Sequence, residues 1–246
     1  MKSKIRFGVT LLAAYLLVAC NNDNTTSSNT TTDSSASQSS KDTTEKMDNM
    51  NMGKSLMVSM NSMMERMKAV KITGDFDIDF ANMMIEHHQG AIDAANIVAK
   101  SGKDEKIKAM AQKTLQMQPQ DQKDLRKHTN IKDDQNATAK KDDSHAAHSQ
   151  SSDASASSSH SDQFSSEMNK VMADMESKMK SMKMTGNLDH DFATMMIDHH
   201  QGAIDMAEIE KKHGKMQDVK TLADKIITDS QKDISELKTW LSSHDK

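Results

Sequence analysis

The chain has 246 residues, a formal net charge of −4 and a mean hydropathy of −0.75, so it holds one or two small domains and much of it is solvated. Aromatic residues make up only 3%, there is 1 Pro, and 23 residues are Met, which argues against a β-sandwich and for helices. The weakly acidic balance gives no electrostatic case for nucleic acid as a partner.

Lys2, Lys4 and Arg6 precede the apolar run FGVTLLAAYLLV, which is too short for a comfortable membrane span, so residues 1–19 read as a signal peptide. Leu17-Val18-Ala19-Cys20 resembles a bacterial lipobox. On that reading Cys20 is lipidated and the protein is extracytoplasmic, anchored to a bacterial membrane in the cell envelope or periplasm; an ordinary secretory signal is the alternative. Removing three positive charges with the signal takes the formal charge from −4 to −7. Cys20 is the only cysteine, so disulfides and thiolate metal sites are excluded. Imidazole and thioether are then the softer ligands available in an oxidising compartment.

Residues 20–52 are rich in Asn, Thr, Ser and Asp and read as a flexible tether. Residues 53–130 form a first helical repeat, residues 131–163 a disordered linker containing His145, His148 and His160, and residues 164–246 a second repeat. Each repeat reads as three helices. The first spans about 54–71, with Met57, Met60, Met63, Met64 and Met67, and its counterpart about 164–183, with Met168, Met172, Met175, Met179 and Met182. The turns ITGDFD and MTGNLD follow; Gly74 and Gly186 suit a helix stop, and Asp75/Asp77 or Asn187/Asp189 an N-cap. The second helix, about 78–100 in the first repeat, ends at SGKD, and its copy at HGKM. The third spans about 104–128, where Pro119 is a potential kink, and about 215–243 in the second copy.

The second helix carries a segment that occurs twice. Residues 80–94 read FANMMIEHHQGAIDA and residues 192–206 read FATMMIDHHQGAIDM, an offset of 112 from Phe80 to Phe192. On a helical wheel His87 falls in the middle of the apolar face and His88 at its edge; His199 and His200 repeat this. Met83 lies one turn before His87 and Met84 one turn before His88, as do Met195 and Met196 before His199 and His200. Thioethers favour Cu(I), and imidazole suits both copper states, so the duplicated block points to a metal ion as partner and to copper, as Cu(I) or Cu(II), as cofactor. Further ligands would come from the Met-rich first helix: Met60, Met63, Met64 and Met67, or Met172, Met175 and Met179. A Met stripe by itself is ordinary core filling; two adjacent His, duplicated with Met one turn before each, are what shift the balance. Asp77, Asp79, Asp189 and Asp191 sit at the helix start, where capping and the helix dipole account for them. Gly90 and Gly202, in mid-helix, imply a close crossing.

The HHQGAI block, preceded by DFAxMMI and an Asp/Asn-rich turn, resembles the family called domain of unknown function 305, over roughly residues 54–128 and 166–244. That family is similar to ferritin-like helical bundles and consists mainly of secreted or periplasmic bacterial proteins, some implicated in copper binding and tolerance. The resemblance implies a copper-binding role for His87, His88, His199 and His200 with Met83, Met84, Met195 and Met196. The Glu-x-x-His pattern of di-iron bundles is absent, because Glu86 is followed by Gln89 and Asp198 by Gln201.

The fold class expected is therefore all-α, with two homologous ferritin-like helical-bundle modules of about three helices each. Whether they form one bundle or two stays open, as does a homo-oligomer. The function expected is copper binding or sequestration outside the cytoplasm, without catalysis, since no nucleophile–base pair and no phosphate loop occur. The rival readings are a structural or interaction module of the cell envelope and a metal-dependent oxidase. Ordinary His basicity would make the affinity fall below about pH 6.

Overall fold

The computed structural model describes residues 36–129 and 154–244. The signal peptide, Cys20, the tether up to residue 35 and the linker histidines His145 and His148 lie outside the described residues, as does the side chain of His160. Among the described residues the chain forms six helices and no strand: α1 (Ala36–Ala69), α2 (Phe76–Ser101), α3 (Glu105–Leu125, continued by a 3-10 turn, Arg126–His128), α4 (Ala154–Ser181), α5 (Leu188–His213) and α6 (Gln217–His244). No helix among the described residues is long and apolar enough to cross a membrane.

The first helix of each repeat is longer than the sequence suggests. α1 begins at Ala36, within the segment read as tether, and α4 at Ala154, within the segment read as linker. Neither extension has an apolar stripe to announce it. Residues 36–52 and 154–163 also contain no Gly or Pro, so nothing stops a helix nucleated by the packed part from propagating outward. The α4 extension is anchored by Phe164, fully buried, whose ring meets Phe76 of α2 edge-on at 5.3 Å. Pro119 does not interrupt α3.

The turns before α2 and α5 are built as their sequences predict. Gly74 and Gly186 adopt φ of 88° and 80°, which only Gly tolerates without strain. The Asp75 side chain accepts from the Asp77 and Ile78 amides, and Asn187 accepts from those of Asp189 and His190. Asp79 ties down its own turn by accepting from Thr73 N, Thr73 Oγ1 and Gly74 N; Asp191 does the same with Thr185 and Gly186.

Asp77 and Asp189 reach across to the other repeat. Asp77 accepts from the Lys215 and Met216 amides at 2.9 and 2.8 Å, just before α6. Asp189 accepts from the Lys103 amide at 3.0 Å and the Asp104 amide at 3.1 Å, just before α3. Gly102 and Gly214, which close α2 and α5, have φ of −63° and −60°, so left-handed backbone is not their reason. A Cβ on Gly102 would lie 2.7 Å from Asp189 Oδ1. Space for the cross-repeat cap accounts for that glycine.

These exchanges settle the question left open by the sequence: the two repeats form one bundle. α2 and α5 pack against each other, α2 carrying α1 and α3 and α5 carrying α4 and α6, and α1 also reaches α4 and α5 while α3 reaches α6. The arrangement is a pseudo-two-fold in which equivalent residues are 112 positions apart, as for His87 and His199.

Candidate functional site

The two HH pairs meet where α2 crosses α5. Burial of the Met stripes puts them there. Met60, Met63 and Met67 of α1 and Met168, Met172, Met175 and Met179 of α4 cover α2 and α5 from outside. A Cβ on Gly90 would sit 2.6 Å from Met63 Sδ, and one on Gly202 would sit 2.3 Å from Met175 Sδ. The close approach expected at these glycines is therefore that of a thioether onto helix backbone. The Gly202 position is also 3.4 Å from His87 Nε2, so a sulfur of the second repeat and an imidazole nitrogen of the first converge over one glycine. Met83, Met84, Met195 and Met196 are all buried in the core, on the same helices as the histidines.

All four histidines are buried, with exposures of 0% for His87, 3% for His88, 3% for His199 and 5% for His200. The His87 and His199 rings stack at 3.8 Å between centroids with 28° between planes. His199 Nε2 lies 3.0 Å from the His87 carbonyl oxygen. A carbonyl only accepts, so His199 carries its proton on Nε2 and its lone pair on Nδ1. That Nδ1 has no hydrogen-bond partner, nor has either ring nitrogen of His87 or of His88.

Burial holds these imidazoles neutral. Desolvation lowers His88, His199 and His200 from the usual 6.5 to about 3, with help from neighbouring His and Lys charges, and lowers His87 well below its ordinary value for the same reason. Neutral imidazole is the metal-binding form. Leaving a buried polar atom unpaired costs about 1–3 kcal/mol, so this many unpaired nitrogens on three neighbouring histidines call for a reason beyond packing.

His88 and His200 point away from the stacked pair, toward a cavity of about 30 Å³ between α3 and α6. Its lining includes Asp121 and Asp233, whose Oδ2 atoms each stand 3.9 Å from Nε2 of His88 and His200 respectively. Lys225 bonds Asp121 Oδ1 at 2.8 Å, and Lys113 pairs with Asp233. The sequence reading missed these residues although a signal was present. Asp121 falls on the inner stripe of α3 with Ile107, Ala111, Thr114 and Leu125, and Asp, like Lys113 and Lys225, recurs at the equivalent position of the second repeat.

The side chains gathered at the crossing are neutral imidazoles and buried thioethers, the donor types that soft and borderline metals take. Among the described residues no three His, Cys, Asp or Glu side chains already converge on one point. A copper site here would therefore draw on thioether sulfur as well as imidazole.

The sequence profile described as Domain of unknown function (DUF305) matches twice, over residues 21–129 and 126–241. Among solved structures, the crystal structure of a DUF305 fragment from Deinococcus radiodurans is similar at 16% identity and a TM-score of 0.43, over 68% of this chain and 96% of that one. No curated protein matches the chain.

Proposed function

The chain belongs to the DUF305 family over both of its repeats, and on that premise we propose that it binds copper at the crossing of α2 and α5 and so sequesters the metal outside the cytoplasm. The observation that carries this reading is the set of four buried imidazole nitrogens without a partner, both of His87 and Nδ1 of His88 and of His199, with Met175 Sδ and His87 Nε2 both approaching Gly202. The thioethers favour Cu(I) over Cu(II). His87, His88, His199 and His200 would supply nitrogen, and Met175 and Met63, with Met83, Met84, Met195 and Met196 on the same helices as the histidines, would supply sulfur. Copper bound there would be held by both repeats and shielded from solvent, which suits storage. Lipid attachment through Cys20 would keep this store at the membrane surface.

A Cu(I) competition titration against a chromophoric chelator tests the proposal, using residues 21–246 beside a variant with His87, His88, His199 and His200 all changed to Gln. Tight binding by the parent, lost in a variant that keeps its helicity, is the expected result. Equally weak binding by both would make the cluster a packing feature and the protein a structural module.

A further inference from the structure

We propose that Asp121 and Asp233 are positioning residues that fix the tautomers of His88 and His200, keeping the proton of each on Nε2 and leaving Nδ1 as its metal-binding lone pair; the inference deepens the copper reading and rests on it. Two equivalent relays carry the argument. In one, Lys225 of α6 holds Asp121 of α3, whose other oxygen faces His88 Nε2 on α2. In the other, Lys113 of α3 holds Asp233 of α6, whose Oδ2 faces His200 Nε2 on α5. His and Asp come from the same repeat each time, and Lys from the opposite one. The same three residue types recur in the same geometry, 3.9 Å from carboxylate to imidazole in both.

The physical reason is the polarity of the partner. A carboxylate held by a lysine only accepts, so the imidazole nitrogen facing it is favoured as N–H and the lone pair moves to the far nitrogen. At 3.9 Å the contact is not a direct hydrogen bond; a water bridges such a gap, and the adjoining cavity of about 30 Å³ has room for one. His88 Nδ1 is buried and has no partner, as a lone pair held for a ligand requires. His199 reaches the same state by a different route, its Nε2 facing the His87 carbonyl and its Nδ1 left over. A carboxylate behind a metal-bound imidazole is a common way to orient the ring and raise its basicity.

The test is ¹⁵N NMR of the imidazoles in the metal-free protein, followed by Cu(I) competition titration, for the parent and for Asp121→Asn/Asp233→Asn. The parent should show His88 and His200 wholly as the Nε2–H tautomer. The double variant should show an Nδ1–H population at both, and its Cu(I) affinity should fall about 10- to 100-fold. Nδ1–H at either histidine of the parent overturns the proposal, even if the variant fails to fold. A folded variant with unchanged tautomers also overturns it, whatever its affinity. Failure of the parent to bind Cu(I) would sink the copper reading while leaving the tautomer result to judge the positioning role.

Discussion

Glu210 is a buried acid where the first repeat has an apolar residue. Its equivalent in the first repeat is Val98, fully buried; Glu210 is buried just as completely, close to the turn that Asp77 caps. Burial, and then the Asp77 charge, push its carboxyl from 4.5 up to about 8. The folded chain therefore holds a proton there that the unfolded chain has lost. Stability from this group is full below about pH 4.5 and declines as the pH rises to about 8, at up to about 1.4 kcal/mol per pH unit. Glu210→Val should remove that decline and raise the urea midpoint at pH 8. The histidines act in the opposite direction. Below the ordinary value of 6.5 the unfolded chain takes up protons at His87, His88, His199 and His200 that the folded chain refuses until about pH 3 at the latter three. Stability is thus lost as the pH falls below 6.5, and four protons outweigh the single opposing one. Urea midpoints across pH 4–9 should peak near neutrality, and a monotonic rise or fall would contradict this balance. The same low basicity changes the expectation for copper: proton competition at the folded site begins well below pH 6, so binding should persist at pH 5.5 for as long as the chain stays folded.

At the scale of elements, glycine and methionine on facing helices decide how close α1 comes to α2 and α4 to α5. Gly→Ala in a helix interior ordinarily gains up to about 1 kcal/mol. At Gly202 the new Cβ would lie 2.3 Å from Met175 Sδ, so overpacking, typically about 1–3 kcal/mol, should win. Gly202→Ala is expected to lower the thermal midpoint, and Met175→Ala in the same chain to recover part of the loss. The cross-repeat caps are the second device at this scale. Asp189→Ala should cost about 1–2 kcal/mol, as removal of an N-cap carboxylate does, although the residue caps a helix of the other repeat. Much of this was legible in the sequence. The Met stripes, the positive-φ glycines and the Asx caps each have a local signature, and the duplicated HH block marked the central helices. The early starts of α1 and α4 were not legible, because polar residues without breakers leave no periodic trace. Asp77 and Asp189 read as local caps because their amide partners lie 138 and 86 residues away, at Lys215 and Lys103. Asp121 and Asp233 were present as a repeated acid within an apolar stripe, a signal that becomes pointed only once α3 is seen facing α6.

At the scale of the molecule, the chain is a dimer of one motif written twice. The His87–His199 stack, the Asp77 and Asp189 caps and both Lys–Asp pairs all cross between repeats. One repeat alone would expose the α2 face that meets α5. Residues 21–129 expressed alone should therefore sediment as a homodimer or lose helicity on dilution; a stable folded monomer would contradict the joint bundle. On the same geometry the proposed copper centre would belong to both halves, drawing nitrogen and sulfur from opposite repeats. The most direct test is X-ray absorption at the copper edge of the Cu(I)-loaded chain. A first shell containing both imidazole nitrogen and thioether sulfur, with the sulfur reduced by Met63→Leu/Met175→Leu, is the predicted result. A shell of nitrogen and oxygen alone, unchanged in that variant, would contradict it.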